Sequence, residues 1–298
     1  MRIHFILLHF LFFSPASLLA CGPCGCSGGT PYLGILPQFR SHFVGIRYNF
    51  QSIRFNHSGL KERLQFHSTE VWGRFYVHPR IQMLMQVPFQ AIQTRTGTGP
   101  HQWINQGMGD LRLMLNGLVL QTPDTSQKTW RHALLLGAGL KAPTGTYNAV
   151  REGQVLAPSL QLGSGSWDWI SSAMYTVRHS RLGLNVSWLT LWRQPNPLRY
   201  KLSDQHQVAA SLFGWLKRKS LDILPQGGVL WEHLTSEKSQ GIPVSLTGGN
   251  TGLLTAGCDL YWKRLFISAV GMWPLVHQIQ GGTLKPGMRV WTSLTFLF

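Results

Sequence analysis

From Ile81 to Gln93 the chain reads IQMLMQVPFQAIQ, and its character changes with every step. Ile81, Met83, Met85, Val87, Phe89 and Ala91 fall on one side; Gln82, Gln86 and Gln90 fall on the other. Period two over this length predicts a β-strand long enough to cross a bilayer when tilted. The same alternation sets Val44, Ile46, Tyr48 and Phe50 against Arg47, Asn49 and Gln51. It sets Val71, Phe75 and Val77 against Glu70 and Arg74, and Leu111, Leu113, Leu115 and Val119 against Arg112 and Asn116. No segment sustains a helical period of three to four.

Extended along the chain, the pattern predicts about twelve strands: 42–55, 68–77, 81–93, 110–121, 131–141, 167–178, 181–194, 205–216, 220–234, 250–262, 264–278 and 285–298. Ten or fourteen result if one long segment is divided differently. The gaps mostly alternate between short turns (HPR, HSR, KRKS, KR) and long loops at 94–109, 142–166 and 237–249, with a short gap before the last strand. A soluble sandwich with one wet face also alternates. An even strand count with one-sided long loops instead predicts an all-β, antiparallel transmembrane β-barrel with both termini in the periplasm. The last strand, VWTSLTFLF, sets Val290, Leu294, Phe296 and Phe298 against Arg289, Ser293 and Thr295. Its terminal Phe298 resembles the signal by which barrel-assembly machinery recognises outer-membrane proteins.

The N-terminus fits this address. MRIHFILLHFLFFSPASLLAC has a basic start, an apolar run and a small residue before Cys21, the order of a secretory signal. The expected organisation is a signal peptide at 1–20, a Cys-rich tether or plug at 21–41, and a barrel at 42–298, in the bacterial outer membrane. LLAC also resembles a lipoprotein signal, in which Cys21 would carry lipid. Cys24 and Cys26 then remain as either a local disulfide or a low-coordinate site for a soft metal such as copper. No zinc-ribbon or H-E-x-x-H spacing accompanies them, and no resident cofactor is expected.

Composition agrees. Charged residues make up 13% of the 298, against roughly 25% in an average soluble domain, while Gly numbers 32 and Trp 12. The net charge of +16 is scattered as pairs such as Lys263 and Arg264 between apolar runs. Lipid headgroups or a polar conduit therefore suit it better than nucleic acid. Trp72, Trp103, Trp130, Trp167, Trp192, Trp262 and Trp291 fall near strand ends, where a barrel carries aromatic girdles.

LLLGAGLKAPTGTY and LQLGSGSWDW look at first like phosphate loops. Lys141, however, precedes Pro143 and Gly145, and no helix pattern follows, so neither a Walker loop nor a dinucleotide fingerprint is present. As strand ends, Gly137 and Gly139 would admit a neighbouring backbone, and Pro143 and Gly145 would turn the chain into the longest loop.

GLKAPTG followed by PSLQLGSGSWDW resembles the paired motif of bacterial outer-membrane transporter-like barrels of the MetA-pathway-of-phenol-degradation group, which are distantly similar to FadL-type channels. The opening CGCSGGTPYLGILPQFRSHFVGIRY resembles barrels of the same kind with a Cys-rich start. The resemblance marks Lys141, Pro143, Thr144, Gly145, Gly163, Gly165, Trp167 and Asp168 as the motif loop. It implies an outer-membrane channel for small solutes, including hydrophobic or aromatic ones.

The alternation assigns Arg47, Asn49, Gln51, Glu70, Arg74, Gln82, Gln86, Gln90, Arg112, Asn116, Asp168, Asn185, Gln226, Glu232 and Asp259 to the lumen. There they would either line a path or fill a narrow barrel. Solutes would cross this lumen, or leave through the wall at Pro88, Pro225 or Pro274, where proline removes a ladder hydrogen bond. The competing reading is a non-transporting barrel that binds a metal or an envelope partner through its Cys-rich terminus and loops. No nucleophile with a base partner and no catalytic carboxylate pair is apparent, so an enzyme is not expected.

Overall fold

The computed structural model describes residues 41–57, 60–97, 99–123, 129–279 and 284–298, without the side chains of 55–61. Twelve antiparallel strands close into one barrel. They are β1 Phe43–His57, β2 Leu60–His78, β3 Ile81–Thr96, β4 in two segments Gln102–Met108 and Leu111–Gln121, β5 Trp130–Ala142 and β6 Asp168–His179. There follow β7 Leu182–Trp192, β8 Gln205–Gly214 continued by Leu216–Arg218, β9 Leu221–Leu234, β10 Gly249–Trp262, β11 Leu265–Ile279 and β12 Leu284–Leu297. Each strand pairs with its sequence neighbour, and β1 closes on β12 from Phe43↔Leu297 to Phe55↔Leu284. The expected signal peptide and Cys-rich segment, with Cys21, Cys24 and Cys26, lie outside the described residues.

Both described chain ends lie at one end of the barrel, the periplasmic end of an even-stranded barrel. Two-residue turns at this end begin with Ser180, Lys219 and Lys263, at φ of 51°, 43° and 53°, the left-handed conformation that matches a hairpin turn to the strand twist. The long connections 143–167, 193–204 and 235–248 cluster at the opposite, outer end.

The expected strands hold with two corrections. β1 runs on to His57 and β2 begins at Leu60, where alternation predicts a gap from 56 to 67. The charges of Lys61, Glu62 and Arg63 hide the pattern there, at the outer rim. Gln102–Met108, expected within a long loop, is a strand segment paired to β3 from Phe89↔Met108 to Thr94↔Gln102.

Side chains alternate across the wall. Val44, Ile46, Val71, Phe89, Leu115, Leu212, Val229, Leu254, Leu294 and Phe296 are exposed on the outside, an apolar surface that water would not tolerate and lipid does. Trp103, Trp130, Trp167, Trp192 and Trp262 are exposed towards the strand ends. Trp72 and Trp291 depart from the expected girdle: they are 2% and 8% exposed, inside the barrel. Their parity explains this, since Trp72 shares a face with Glu70 and Arg74, and Trp291 with Arg289.

One seam is incomplete. β11 and β12 pair from Leu265↔Phe296 only as far as Met272↔Arg289. Beyond that point β11 stays on β10 up to Gly249↔Ile279, and β12 stays on β1 down to Phe55↔Leu284. Both flanking ladders shift register here, at Gly252/Leu253 and Gln51/Ile53, and Pro274 and Pro286 cannot donate across the gap. The other two prolines are paired through on one side only: the β2–β3 ladder runs through Glu70↔Pro88 and the β9–β10 ladder through Pro225↔Cys258. On the other side β4 is interrupted between Met108 and Leu111 and β8 between Gly214 and Leu216, the Gly109 N–H bonding the Pro88 carbonyl at 2.9 Å.

Candidate functional site: a buried ion cluster and the loop it holds

Six of the eleven acidic residues, Glu70, Asp110, Asp168, Glu232, Glu237 and Asp259, are buried. Bare carboxylates inside a barrel are costly, so each meets a donor. Arg47 lies 3.7 Å from Glu70, which also accepts from Asn49 at 2.9 Å. Arg289 lies 2.7 Å from Glu232, which accepts from Gln207 at 2.5 Å. Gln226 and Ser268 donate to Asp259 at 3.2 and 2.6 Å. Arg47, Asn49, Glu70, Arg74, Gln82, Gln86, Gln90, Arg112, Asn116, Asp168, Asn185, Glu232 and Asp259 are all buried, while Gln51 and Gln226 are half-buried. Glu232 and His233, adjacent in sequence, separate across the wall as strand neighbours must: His233 is exposed and bonds Asn250 at 2.8 Å.

The tightest cluster joins residues far apart in sequence. Lys141, at the end of β5, places Nζ 2.8 Å from Asp110, between the two segments of β4, and 2.6 Å from Asp168, at the start of β6. It also donates to Ser164 at 2.6 Å. Lys141 and Asp168 have no exposed surface. Asp110 was not singled out from sequence; it sits at a strand break in GMGDLRL, where alternation lapses.

This cluster holds the loop 143–167. Asp110 accepts from the Gly145 N–H at 3.0 Å and the Ser164 N–H at 2.8 Å, clasping both ends of the loop. Thr144 donates to the Gly109 carbonyl and accepts from the Leu111 N–H, both at 2.9 Å. The motif glycines allow the approach: a Cβ on Gly163 would lie 2.4 Å from the Gly145 carbonyl oxygen, and one on Gly165, at φ 70°, would strike the Tyr147 ring. Gly139 lies against the β4 backbone at Leu113, as expected of a bare strand position. Pro143 opens the loop and Trp167 ends it, exposed at the rim.

So held, the loop drops into the barrel. Leu160 and Leu162 pack on an inward apolar patch at the outer end, formed by Ile53, Leu64, Phe66, Ile92, Ile279 and Leu284. A second inward apolar cluster, including Phe43, Trp72, Leu84, Phe213, Leu224, Tyr261, Phe266 and Leu297, gathers largely at the periplasmic end. Between these levels β9–β12 present Leu230, Leu253, Val270, Met272 and Trp291, while β1–β4 present the charged and amide side chains. The interior is therefore amphipathic. At its periplasmic end a cavity of about 410 Å³ opens beside Lys219, Lys263, Arg264, Asp222 and Phe298.

The outer loops are cross-linked to this cluster. Asn196 donates to the Ser164 carbonyl at 3.2 Å, and the Gln194 N–H donates to Asp168 at 3.0 Å. Tyr200–Lys201 pairs with Lys238–Ser239, which pairs with Ile242–Pro243. The Tyr200 hydroxyl donates to Glu237 there. Burial pushes the Glu237 carboxyl above the usual carboxylate range, against the Tyr200 hydrogen bond and the Arg193 charge, which pull it down. Among the described residues no group of three or more His, Cys, Asp or Glu is arranged to hold a metal.

No family model matches the sequence, and no curated protein matches it. Among solved structures the chain is similar to an outer-membrane channel from Pseudomonas putida F1, at 14% identity and a TM-score of 0.59, covering 87% of this chain and 96% of that one. It is also similar to the β domain of the Bordetella autotransporter BrkA, at 11% identity and a TM-score of 0.45, covering 87% and 100%. The translocator domain of the autotransporter NalP from Neisseria meningitidis follows, at 7% identity and a TM-score of 0.44, covering 89% and 91%. At these identities the likeness is one of fold: the chain is a closed antiparallel β-barrel of the kind found in outer-membrane proteins.

Proposed function

We propose that the protein is an outer-membrane channel through which small solutes move passively, with the loop 143–167 setting what passes. The observation that carries this reading is the Asp110–Lys141–Asp168 cluster, which spends a buried lysine and two carboxylates on holding a loop inside the barrel. A barrel that needed only filling would be better served by apolar side chains, because buried ion pairs contribute little net stability. The fold it shares with an outer-membrane channel supports the same reading.

The interior favours solutes with an aromatic or apolar body and one polar group. Such a molecule would slide along Trp291, Met272 and Leu253 while the opposite wall solvates its polar end. The β11–β12 fork, edged by exposed Trp273, Leu275, Val276 and Met288, gives apolar solutes a sideways exit towards the outer leaflet. Flux into liposomes tests the proposal: phenol-like solutes are expected to enter faster than sugars of equal size, and equal rates, or none above empty liposomes, would overturn it.

A further inference from the structure

On the outer surface of the barrel the register brings four cations into line. Arg54 of β1 faces Lys285 of β12 on one side and Arg63 of β2 on the other, and Arg63 faces Arg95 of β3. Directly opposed residues stand about 4.5–5.5 Å apart at Cβ, and like charges so placed repel. Arg54, Arg63 and Lys285 are exposed. None of them joins an ion pair among the described residues, and the register puts no carboxylate in the row.

Its height identifies what neutralises it. From Phe43 to Arg54, β1 at ~3.3 Å per residue and a tilt of ~40° rises roughly 28 Å from the periplasmic rim. The apolar belt of an outer-membrane barrel is about 25 Å tall, so the row stands just above it, at the outer headgroups. Below the row the outer face carries Phe50 of β1 and Trp103 of β4 on either side of His67 of β2, with ring centroids 5.3 and 6.2 Å from it, an aromatic–polar edge typical of a membrane interface. Tyr48, Ile46 and Val44 continue the exposed face of β1 towards the periplasmic rim.

We propose that Lys285, Arg54 and Arg63 form a docking site for a phosphate on the headgroup of the outer-leaflet glycolipid, lipopolysaccharide. A phosphate between neighbouring guanidinium groups accepts charge-assisted bonds from both and converts their repulsion into a shared contact. The acyl chains of the same molecule then lie down the apolar face of β1 and β2. The site rests on the membrane placement of the barrel alone and is independent of transport.

The test is binding of bisphosphorylated lipid A to the refolded full-length protein in neutral detergent, followed by native mass spectrometry. Arg54→Gln/Arg63→Gln/Lys285→Gln is expected to lower retention by about tenfold or more. Lys217→Gln/Arg218→Gln/Lys219→Gln, at a periplasmic turn, is expected to leave it unchanged. Dephosphorylated lipid A with the same acyl chains should bind the wild type as weakly as lipid A binds the first variant, and millimolar inorganic phosphate should not displace lipid A. Equal binding of the dephosphorylated lipid, displacement by free phosphate, or full retention by a heat-modifiable, folded first variant would each overturn the proposal. Should that variant fail to fold, the lipid comparison on the wild type decides alone.

Discussion

Lys141 and Asp168 meet at 2.6 Å with neither side chain reaching solvent, and Asp110 completes the contact from the other side of the lysine at 2.8 Å. One ammonium thus serves two carboxylates, and those carboxylates also hold the main chain at Gly145, Ser164 and Gln194. The ion cluster and the inserted loop are one mechanical unit.

Removing the lysine strands both carboxylates. Lys141→Met is expected to destabilise the folded barrel by roughly 3–5 kcal/mol, the cost of breaking a buried pair from one side. Asp110→Asn/Lys141→Met/Asp168→Asn, which leaves no charge behind, should recover much of that loss. Urea unfolding followed by tryptophan fluorescence in lipid vesicles checks the order of the three proteins.

The loop can also be pushed out without touching a charge. A side chain at Gly163 meets the Gly145 carbonyl at 2.4 Å, backbone against backbone, so nothing flexible can yield. Gly163→Val is expected to leave the strands folded and heat-modifiable but to expose 143–167 to added protease, with global stability falling by about 1–3 kcal/mol. Protection equal to that of the wild type would show that the glycine contact does not hold the loop.

Acid should tighten the outer loops. Glu237 has its carboxyl raised on folding, mainly by burial. Its contribution to stability is therefore fully present below the ordinary value of an exposed glutamate and is lost as pH rises through the raised folded value. Cleavage within 235–248 is expected to be slower at pH 4 than at pH 7.5 in the wild type. Glu237→Gln should flatten that dependence, as followed by mass spectrometry of the fragments.

At the periplasmic end Phe298 stacks on His42 at 5.8 Å and lies 6.4 Å from Phe75. These are modest contacts, so deleting Phe298 should change refolding of the purified protein little. If the terminal strand is read by the assembly machinery, the same deletion lowers the amount of folded barrel in cells several-fold. Quantifying the heat-modifiable band in vivo and in vitro separates the two effects.

The strands were legible because a barrel wall faces lipid on one side and paired polar groups on the other, so period two survives almost undiluted. Ile81 to Gln93 shows this directly. The pattern failed where neither side is uniform. The charged outer rim at Lys61–Arg63 looked like a loop, and the break around Asp110 concealed the second carboxylate of the ion cluster. Trp72 and Trp291 take the inner face because parity, not aromatic identity, decides the side of the wall: their neighbours Glu70, Arg74 and Arg289 point inward. The motif residues Lys141, Gly145, Gly163 and Asp168 could be named from sequence. Their convergence could not, because it depends on which strands end beside one another.

Planar-bilayer conductance of the purified protein, wild type beside Gly163→Val, tests the central claim most directly. Small, interrupted currents are expected from the wild type and a larger, steadier current once the loop is displaced. Identical currents from both, or silence from both in folded barrels, would contradict a channel governed by the inserted loop.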